Sequence, residues 1–94
     1  PAYVFFLAEA MTAAAVELGL DLATATRMVN HTILGAATLL ETSGEPAEVL
    51  RRNVTSPNGT TAAAISAMEE LGVRSAVGAA MTAARDRSRE LSGG

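Results

Sequence analysis

Polar and apolar positions along this chain follow the spacing of α-helices, and Gly or Pro residues interrupt the pattern where a helix would end. The pattern predicts five helices, at residues 2–18, 22–42, 46–52, 61–71 and 73–91. Asp21 is a good N-cap for the second helix, and Gly44 lies just beyond its end. Because no segment alternates with the period of a strand, the predicted fold class is all-α, a helical bundle of about five helices.

The first helix is apolar on most of its surface. Tyr3, Phe6 and Leu7 lie on one stripe, and further apolar residues cover the other sides. A helix that is apolar on most sides is usually buried on most sides, which in so small a domain implies a second chain. We therefore expect an oligomer, in which a second chain covers this helix. Gly35 lies in the middle of the second helix at a cost of about 1 kcal/mol relative to alanine, which indicates close contact with a neighbouring helix.

Composition and charge narrow the class of partner. The chain is 49% hydrophobic and 18% charged, against roughly 25% charged in an ordinary soluble domain. The formal net charge is −3 and lysine is absent, so there is no basic stripe for nucleic acid or for an anionic membrane. The first apolar run, interrupted by Glu9 and Glu17, is too short to span a bilayer.

The supply of metal-ligating side chains is small. Cysteine is absent and His31 is the only imidazole, so we expect no metal site. The lack of cysteine also fits a reducing compartment, and we expect a cytoplasmic protein.

One irregular segment separates the third and fourth predicted helices. Pro57 cannot continue a helix, and Asn58 and Gly59 both tolerate positive φ, so we expect a sharp turn. Thr60 or Thr61 is then expected to cap the fourth helix. Free N–H groups and a partial positive charge at a helix start suit an anion, most simply a carboxylate. A capped helix start that binds only water is the alternative from the residues alone.

The same segment resembles the signature of a known enzyme family. The residues that carry the resemblance are Val54-Thr55-Ser56-Pro57-Asn58-Gly59-Thr60-Thr61-Ala62-Ala63-Ala64, together with Pro1-Ala2-Tyr3-Val4-Phe5-Phe6 and Leu34-Gly35-Ala36-Ala37. The family is pyrroline-5-carboxylate reductase, and the resemblance covers its C-terminal domain over essentially all 94 residues. The family usually has Pro-Gly-Gly where this chain has Pro57-Asn58-Gly59, and asparagine is the non-glycine residue that adopts the left-handed conformation most readily.

The resemblance implies that residues 1–94 are the C-terminal helical dimerisation and substrate-binding domain of a two-domain reductase. The N-terminal dinucleotide-binding domain, which binds NADPH or NADH, is expected upstream of Pro1, so this chain alone should be inactive. The full enzyme reduces 1-pyrroline-5-carboxylate to L-proline in proline biosynthesis. Family members form intertwined homodimers that often assemble further into decamers, and the resemblance implies an intertwined homodimer of this chain.

The resemblance also implies the roles of individual residues, carried over by motif position. Backbone N–H groups of Ser56, Gly59, Thr60 and Thr61 hold the substrate's carboxylate, and Val54 lines the site. The Thr61 hydroxyl hydrogen-bonds the ring nitrogen as the imine is reduced, so Thr61 is the expected catalytic residue.

The alternative function is a structural dimerisation module, from another dehydrogenase or from a standalone adaptor, whose loop holds no ligand. Neighbouring carboxylates such as Glu69 and Glu70 carry no catalysis in either interpretation, because nothing in the sequence desolvates them.

Overall fold

The structure is a computed structural model that describes residues 1–93, so Gly94, the last residue of the predicted domain, lies outside the described residues. It contains five helices in that range and no strand. They are α1 (Ala2–Glu17), α2 (Leu22–Thr42), α3 (Ala47–Asn53), α4 (Thr60–Glu70) and α5 (Val73–Leu91). The predicted all-α fold class is therefore confirmed. The chain divides into two compact units, residues 1–50 and residues 51–94.

The first unit is built on α1 and α2, which pack against each other. The start of α2 is fixed by its predicted cap, because the Asp21 carboxylate accepts the Thr24 backbone N–H at 2.8 Å and the Thr24 hydroxyl at 3.1 Å. These two hydrogen bonds, the backbone one first, lower the pKa of Asp21. The predicted bounds of α2 are confirmed at both ends.

The core of this first unit is small. On α2, Ala25 is fully buried and Val29 is 6% exposed. On α1, Ala8, Thr12 and Ala15 are half-buried and share one face by their helical spacing. The side chains where the two helices meet are therefore mostly small, which permits close approach but removes little apolar area from water.

The predicted start of the third helix at Pro46 is wrong by one residue. The first residue of α3 is Ala47, and the Pro46 carbonyl accepts the N–H groups of Val49 at 3.0 Å and Leu50 at 3.2 Å. Pro46 lacks an N–H, so it suits this place just before the first turn.

The second unit contains α4 and α5, which contact each other across a tight connection. Gly72 in that connection has φ 76°, a left-handed conformation that favours glycine. An exposed ion pair spans the same corner, with Arg74 Nε 2.7 Å from Glu69 Oε1. Exposed pairs of this kind contribute little to stability, so the glycine rather than the ion pair determines the corner.

Large apolar side chains remain exposed on α1, the helix that we expect a second chain to cover. Phe5 and Phe6 are 64% and 70% exposed, and no residue of α1 is buried within the described chain. The predicted close neighbour of Gly35 is also not found there, because a Cβ built on this glycine would meet nothing within 4 Å among residues 1–93. None of the five helices is both long and apolar enough to cross a bilayer, in the part of the chain that the structure describes.

Candidate anion site at the start of α4

The segment before α4 is anchored to the end of α3. The Thr55 hydroxyl donates to the Arg51 carbonyl at 2.6 Å, and the Thr55 N–H donates to the Arg52 carbonyl at 3.1 Å. Carbonyl groups in the last turn of a helix have no partner inside the helix, so a following threonine is well suited to pair with them. This arrangement fixes where the loop leaves α3.

The loop then closes in a four-residue turn. The Gly59 N–H donates to the Ser56 carbonyl at 3.1 Å, with Pro57 and Asn58 as the two central residues. Asn58 has φ 60°, and a proline followed by a residue of positive φ is the pattern of a type II turn. Gly59 itself has φ −87°, so the predicted sharp turn is confirmed, and of the two residues that tolerate positive φ it is Asn58 that adopts it.

Gly59 is required in this turn for space rather than for its φ. A Cβ built on Gly59 would lie 3.2 Å from the Ser56 carbonyl oxygen and 3.5 Å from the Ser56 Cβ. The same carbonyl accepts the hydrogen bond that closes the turn, so it has little freedom to move away. A larger residue at position 59 would therefore strain the turn.

The cap of α4 differs from the prediction. Gly59 is the N-cap, no side chain caps the helix, and Thr60 is the first helical residue, so the predicted caps Thr60 and Thr61 are wrong. The reason is the turn, which brings Gly59 into extended backbone directly before the helix and leaves both threonines inside the first turn.

The absence of a side-chain cap leaves hydrogen-bond donors at the start of α4. The Ala63 N–H donates to the Gly59 carbonyl at 3.1 Å, whereas the N–H groups of Thr60, Thr61 and Ala62 donate to no acceptor within residues 1–93. These three N–H groups lie at the positive end of the helix dipole. The geometry is that of an anion-binding helix terminus.

The predicted site residues are not equivalent in the structure. Ser56, Thr60 and Thr61 are exposed, as is Val54 at 67%, and the Ser56 N–H donates to no acceptor among the described residues. The N–H of Gly59, by contrast, already donates within the turn. All five residues lie in the second unit.

Sequence reasoning missed one donor, the N–H of Ala62, although the signal was present. The first N–H groups of any helix lack an internal partner, so an alanine in the first turn contributes as well as a threonine does. The motif positions imply the N–H groups of Ser56, Gly59, Thr60 and Thr61, and Ala62 is not among them because its side chain has no polar group.

Electrostatics at this site favour negative charge. No Asp, Glu or His occurs from Asn53 to Met68, and Arg51 and Arg52 lie in the last turn of α3. From Ser56 to Thr61, the polar side chains are the hydroxyl groups of Ser56, Thr60 and Thr61 and the amide of Asn58. They can form hydrogen bonds with a ligand but do not titrate near neutral pH.

Two further features concern metal binding and surface grooves. Within residues 1–93, no group of three or more His, Asp and Glu side chains is arranged to hold a metal ion. An open, mostly apolar groove of about 470 Å³ lies in the first unit. Its lining residues are Phe5, Ala8, Glu9, Thr12, Ala13 and Leu22.

Comparison with known proteins gives a consistent result over nearly the whole chain. Residues 1–91 match the family described as pyrroline-5-carboxylate reductase dimerisation. The pyrroline-5-carboxylate reductase of Pseudomonas aeruginosa is 52% identical over 92 residues, which are 97% of this chain and 33% of that protein. Pyrroline-5-carboxylate reductase 1 of Bacillus subtilis is 42% identical over 92 residues, which are 98% of this chain and 31% of that protein.

A solved structure agrees with these relatives. The crystal structure of Plasmodium falciparum pyrroline carboxylate reductase with NADP bound superposes with a TM-score of 0.90 at 32% identity. The match covers 94% of this chain and 34% of that one. The chain therefore spans about a third of the length of the relatives that it matches.

Residues 1–93 form five helices, and exposed large apolar side chains on α1, α2, α4 and α5 define an all-helical domain of the kind that associates with other protein chains. The comparisons with known proteins identify the family of this domain. The chain belongs to the pyrroline-5-carboxylate reductase dimerisation family.

Proposed function

We propose that this chain is the substrate-binding and dimerisation domain of an NAD(P)H-dependent pyrroline-5-carboxylate reductase, which reduces 1-pyrroline-5-carboxylate to L-proline. The observation that carries the proposal is the set of three unpaired N–H groups at Thr60, Thr61 and Ala62, directly after the Ser56–Gly59 turn. The relatives named pyrroline-5-carboxylate reductase support the reaction, and the NADP in the Plasmodium falciparum structure supports a nicotinamide cofactor.

The start of α4 would hold the substrate by its carboxylate. The N–H groups of Thr60, Thr61 and Ala62, with that of Ser56, can donate to the two carboxylate oxygens. Hydrogen bonds from N–H groups to a charged oxygen are stronger than those to a neutral one, and the helix dipole adds to them. The anchored turn keeps these donors in place before the substrate arrives, so little ordering is needed on binding. Val54 would provide an apolar contact for the ring.

Thr61 would act on the imine. Reduction adds a hydride to the carbon of the C=N bond and a proton to the nitrogen, and the bound nicotinamide supplies the hydride. The Thr61 hydroxyl would hydrogen-bond the ring nitrogen and so orient the imine while its charge changes. A threonine hydroxyl is too weak an acid to remain deprotonated at neutral pH. We therefore expect water to supply the proton, which the Thr61 hydroxyl passes to the ring nitrogen.

The cofactor would bind to a separate dinucleotide-binding domain, because no strand and therefore no strand–turn–helix dinucleotide site occurs within residues 1–93. NADPH and NADH both fit this proposal. The two domains would then have separate roles. The dinucleotide-binding domain holds the nicotinamide that donates the hydride, and this domain positions the imine that accepts it.

The partner would be a second copy of the chain, in an intertwined homodimer that can assemble into a decamer. The support is the exposure of large apolar side chains on α1 and α5, including Phe5, Phe6, Val77 and Met81, and the family's dimerisation description. We place the enzyme in the cytoplasm. The chain has no cysteine and so forms no disulfide bond that would require an oxidising compartment.

The experiment that tests this function is substitution of Thr61 in the full-length protein. Thr61→Val keeps the shape of the side chain and removes the hydroxyl, whereas Thr61→Ser keeps the hydroxyl. Since a hydrogen bond to a charged group contributes about 1.5–3 kcal/mol, Thr61→Val should lower kcat/KM by about 10-fold to 100-fold. Thr61→Ser should retain most of the activity.

The melting temperature of both variants should stay close to that of the parent, because Thr61 is exposed. An unchanged kcat/KM in Thr61→Val would remove Thr61 from the mechanism. A protein that shows no reductase activity with either nicotinamide would instead favour the structural module without a ligand.

A further inference from the structure

Asn58 and Gly59 form an Asn-Gly pair in the exposed turn before α4. Asparagine followed by glycine is the dipeptide most prone to spontaneous deamidation, because glycine has no Cβ to hinder its backbone nitrogen. The other two asparagines differ in this respect, since Asn30 precedes His31 and Asn53 precedes Val54. The chain therefore contains one asparagine with an unhindered following nitrogen.

The chemistry of the step needs only water. The backbone nitrogen of Gly59 attacks the side-chain carbon Cγ of Asn58, so an N–Cγ bond forms and the Cγ–Nδ2 bond breaks. Nδ2 leaves as ammonia and takes the proton of the Gly59 N–H. Water then adds to one of the two carbonyl carbons of the cyclic imide and opens the ring, which leaves aspartate or isoaspartate at position 58. No electrons are gained or lost.

Two features of the folded turn oppose this attack. The Gly59 N–H is hydrogen-bonded to the Ser56 carbonyl at 3.1 Å, and the proton must be released for the nitrogen to react. In addition, Asn58 has φ 60° at the third position of a type II turn, where ψ is near about 0°. At that ψ the Gly59 nitrogen points away from the Cβ of Asn58, so the five-membered ring cannot close without rotation of the backbone.

We infer that Asn58 is a deamidation site that the Ser56–Gly59 turn protects, and that its modification switches off the anion site at the start of α4. Opening of the turn removes the hydrogen bond and frees ψ of Asn58 together, so modification follows local opening rather than global unfolding. Ser56, Pro57 and Asn58 are all exposed, so few side-chain contacts hold the turn closed.

The effect on function rests on the proposed carboxylate site. Deamidation places a carboxylate directly before the N–H groups of Thr60, Thr61 and Ala62, where a helix terminus favours negative charge. The new carboxylate would compete with the carboxylate of the substrate for the same donors. The KM for the substrate should therefore rise, with a smaller change in kcat.

The chemical part of the inference is tested by mass spectrometry of the full-length protein that contains this chain. The protein is incubated in mildly alkaline buffer, folded or in guanidinium chloride, and the peptide that holds Asn58 is analysed for conversion of the amide to a carboxylate and for isoaspartate. Deamidation should be more than about tenfold slower in the folded protein, because the turn must open first. Asn30 and Asn53 serve as internal controls and should keep their amides.

Two variants distinguish the protection given by the turn from the reactivity of the Asn-Gly dipeptide. Pro57→Ala weakens the turn, because proline presets the conformation of its second residue, and should speed deamidation of the folded protein but not of the unfolded one. Asn58→Gly removes the reacting amide and should show no modification. Equal rates in the folded and unfolded parent would overturn the inference, and so would an unmodified Asn58 after full unfolding.

The functional part is tested separately with Asn58→Asp, which mimics one product. The KM for 1-pyrroline-5-carboxylate should rise at least about tenfold, a loss of roughly 1.4 kcal/mol in binding. Asn58→Gly should leave KM near the parent value. If protection is observed but Asn58→Asp has an unchanged KM, the switch is refuted while the protection of Asn58 stands. The carboxylate site itself is refuted by a different result, the absence of amide shifts at Thr60, Thr61 and Ala62 on titration with L-proline.

Discussion

The hydroxyl of Thr55 donates to the backbone carbonyl of Arg51 at 2.6 Å and so ties the loop before α4 to the last turn of α3. The Thr55 side chain is half-buried, which makes this the best-shielded side-chain hydrogen bond of the loop. From Thr55 the chain passes through the Ser56–Gly59 turn and directly into α4. The direction in which the first N–H groups of α4 point therefore depends on a threonine that lies outside the proposed ligand contacts.

Replacing this threonine tests its positioning role. Thr55→Val keeps the shape of the side chain and loses the hydroxyl, so the Arg51 carbonyl loses this hydrogen bond and keeps the one from the Val54 N–H at 3.3 Å, at a cost of about 1 kcal/mol. We expect a lower melting temperature and a KM for 1-pyrroline-5-carboxylate that rises more than kcat falls. Thr55→Ser, which keeps the hydroxyl, should recover the parent KM. A Thr55→Val enzyme with a lower melting temperature and an unchanged KM would show that Thr55 is only structural.

Gly59 gives the second prediction. The Cβ of Gly59→Ala would lie 3.2 Å from the Ser56 carbonyl oxygen, so the turn must shift by a few tenths of an ångström. We expect a loss of about 1–3 kcal/mol in the free energy of unfolding, measured with chemical denaturant, and weaker substrate binding. Asn58→Gly is the matched control, because a glycine at φ 60° is unstrained. If both variants were equally stable, close packing at Gly59 would not be the reason for the glycine.

The outcomes at α2 and α4 show how far the sequence determines local structure here. The bounds of α2 follow from Asp21 and Gly44 because a capping side chain and a terminating glycine act within a few residues. The cap of α4 does not follow in this way, because it depends on a hydrogen bond between Ser56 and Gly59 that competes with a threonine cap. Propensity favours threonine over glycine only weakly at such a position, so the turn decides.

Burial was the least predictable property. The apolar stripes of α1 are recognisable in the sequence, and Phe6 on one of them is 70% exposed in the single chain, as expected for a helix that a second chain covers. Helical spacing shows which residues share a face but not which chain covers that face. For the same reason the neighbour expected for Gly35 is not found within residues 1–93.

Gly35 therefore supplies a prediction about association. In an isolated helix, Gly35→Ala should stabilise α2 by about 1 kcal/mol, since the added Cβ meets nothing in the described chain. If α2 packs closely on a second copy at this glycine, the added methyl group instead weakens the dimer. We expect the second result, measured as a higher dissociation constant by sedimentation at several protein concentrations. A more stable protein with unchanged association would contradict close packing at Gly35.

Asp21 predicts a dependence of stability on pH. The two hydrogen bonds from Thr24 lower the pKa of Asp21 in the folded chain below its ordinary value of about 3.9. The folded state therefore binds this proton less readily than the unfolded state does. The stability that the cap contributes is fully present above the ordinary pKa and is lost as the pH falls through the folded pKa.

The measurement is the melting temperature of the parent and of Asp21→Asn between neutral and acidic pH. Asparagine accepts the same backbone hydrogen bond without titrating, so the difference between the two proteins should shrink below about pH 4. A difference that stays constant down to the lowest pH at which both proteins fold would exclude a contribution from the Asp21 charge.

The central claim is that the start of α4 binds the carboxylate of the substrate through backbone N–H groups. The most direct test is an NMR titration of the full-length protein, with its nicotinamide cofactor bound, against L-proline, which carries the same carboxylate. We predict saturable shifts of the amide signals of Ser56, Thr60, Thr61 and Ala62, with the Ala63 signal, whose N–H already donates to Gly59, moving least. Saturable shifts elsewhere that leave these four amides unchanged would contradict the account.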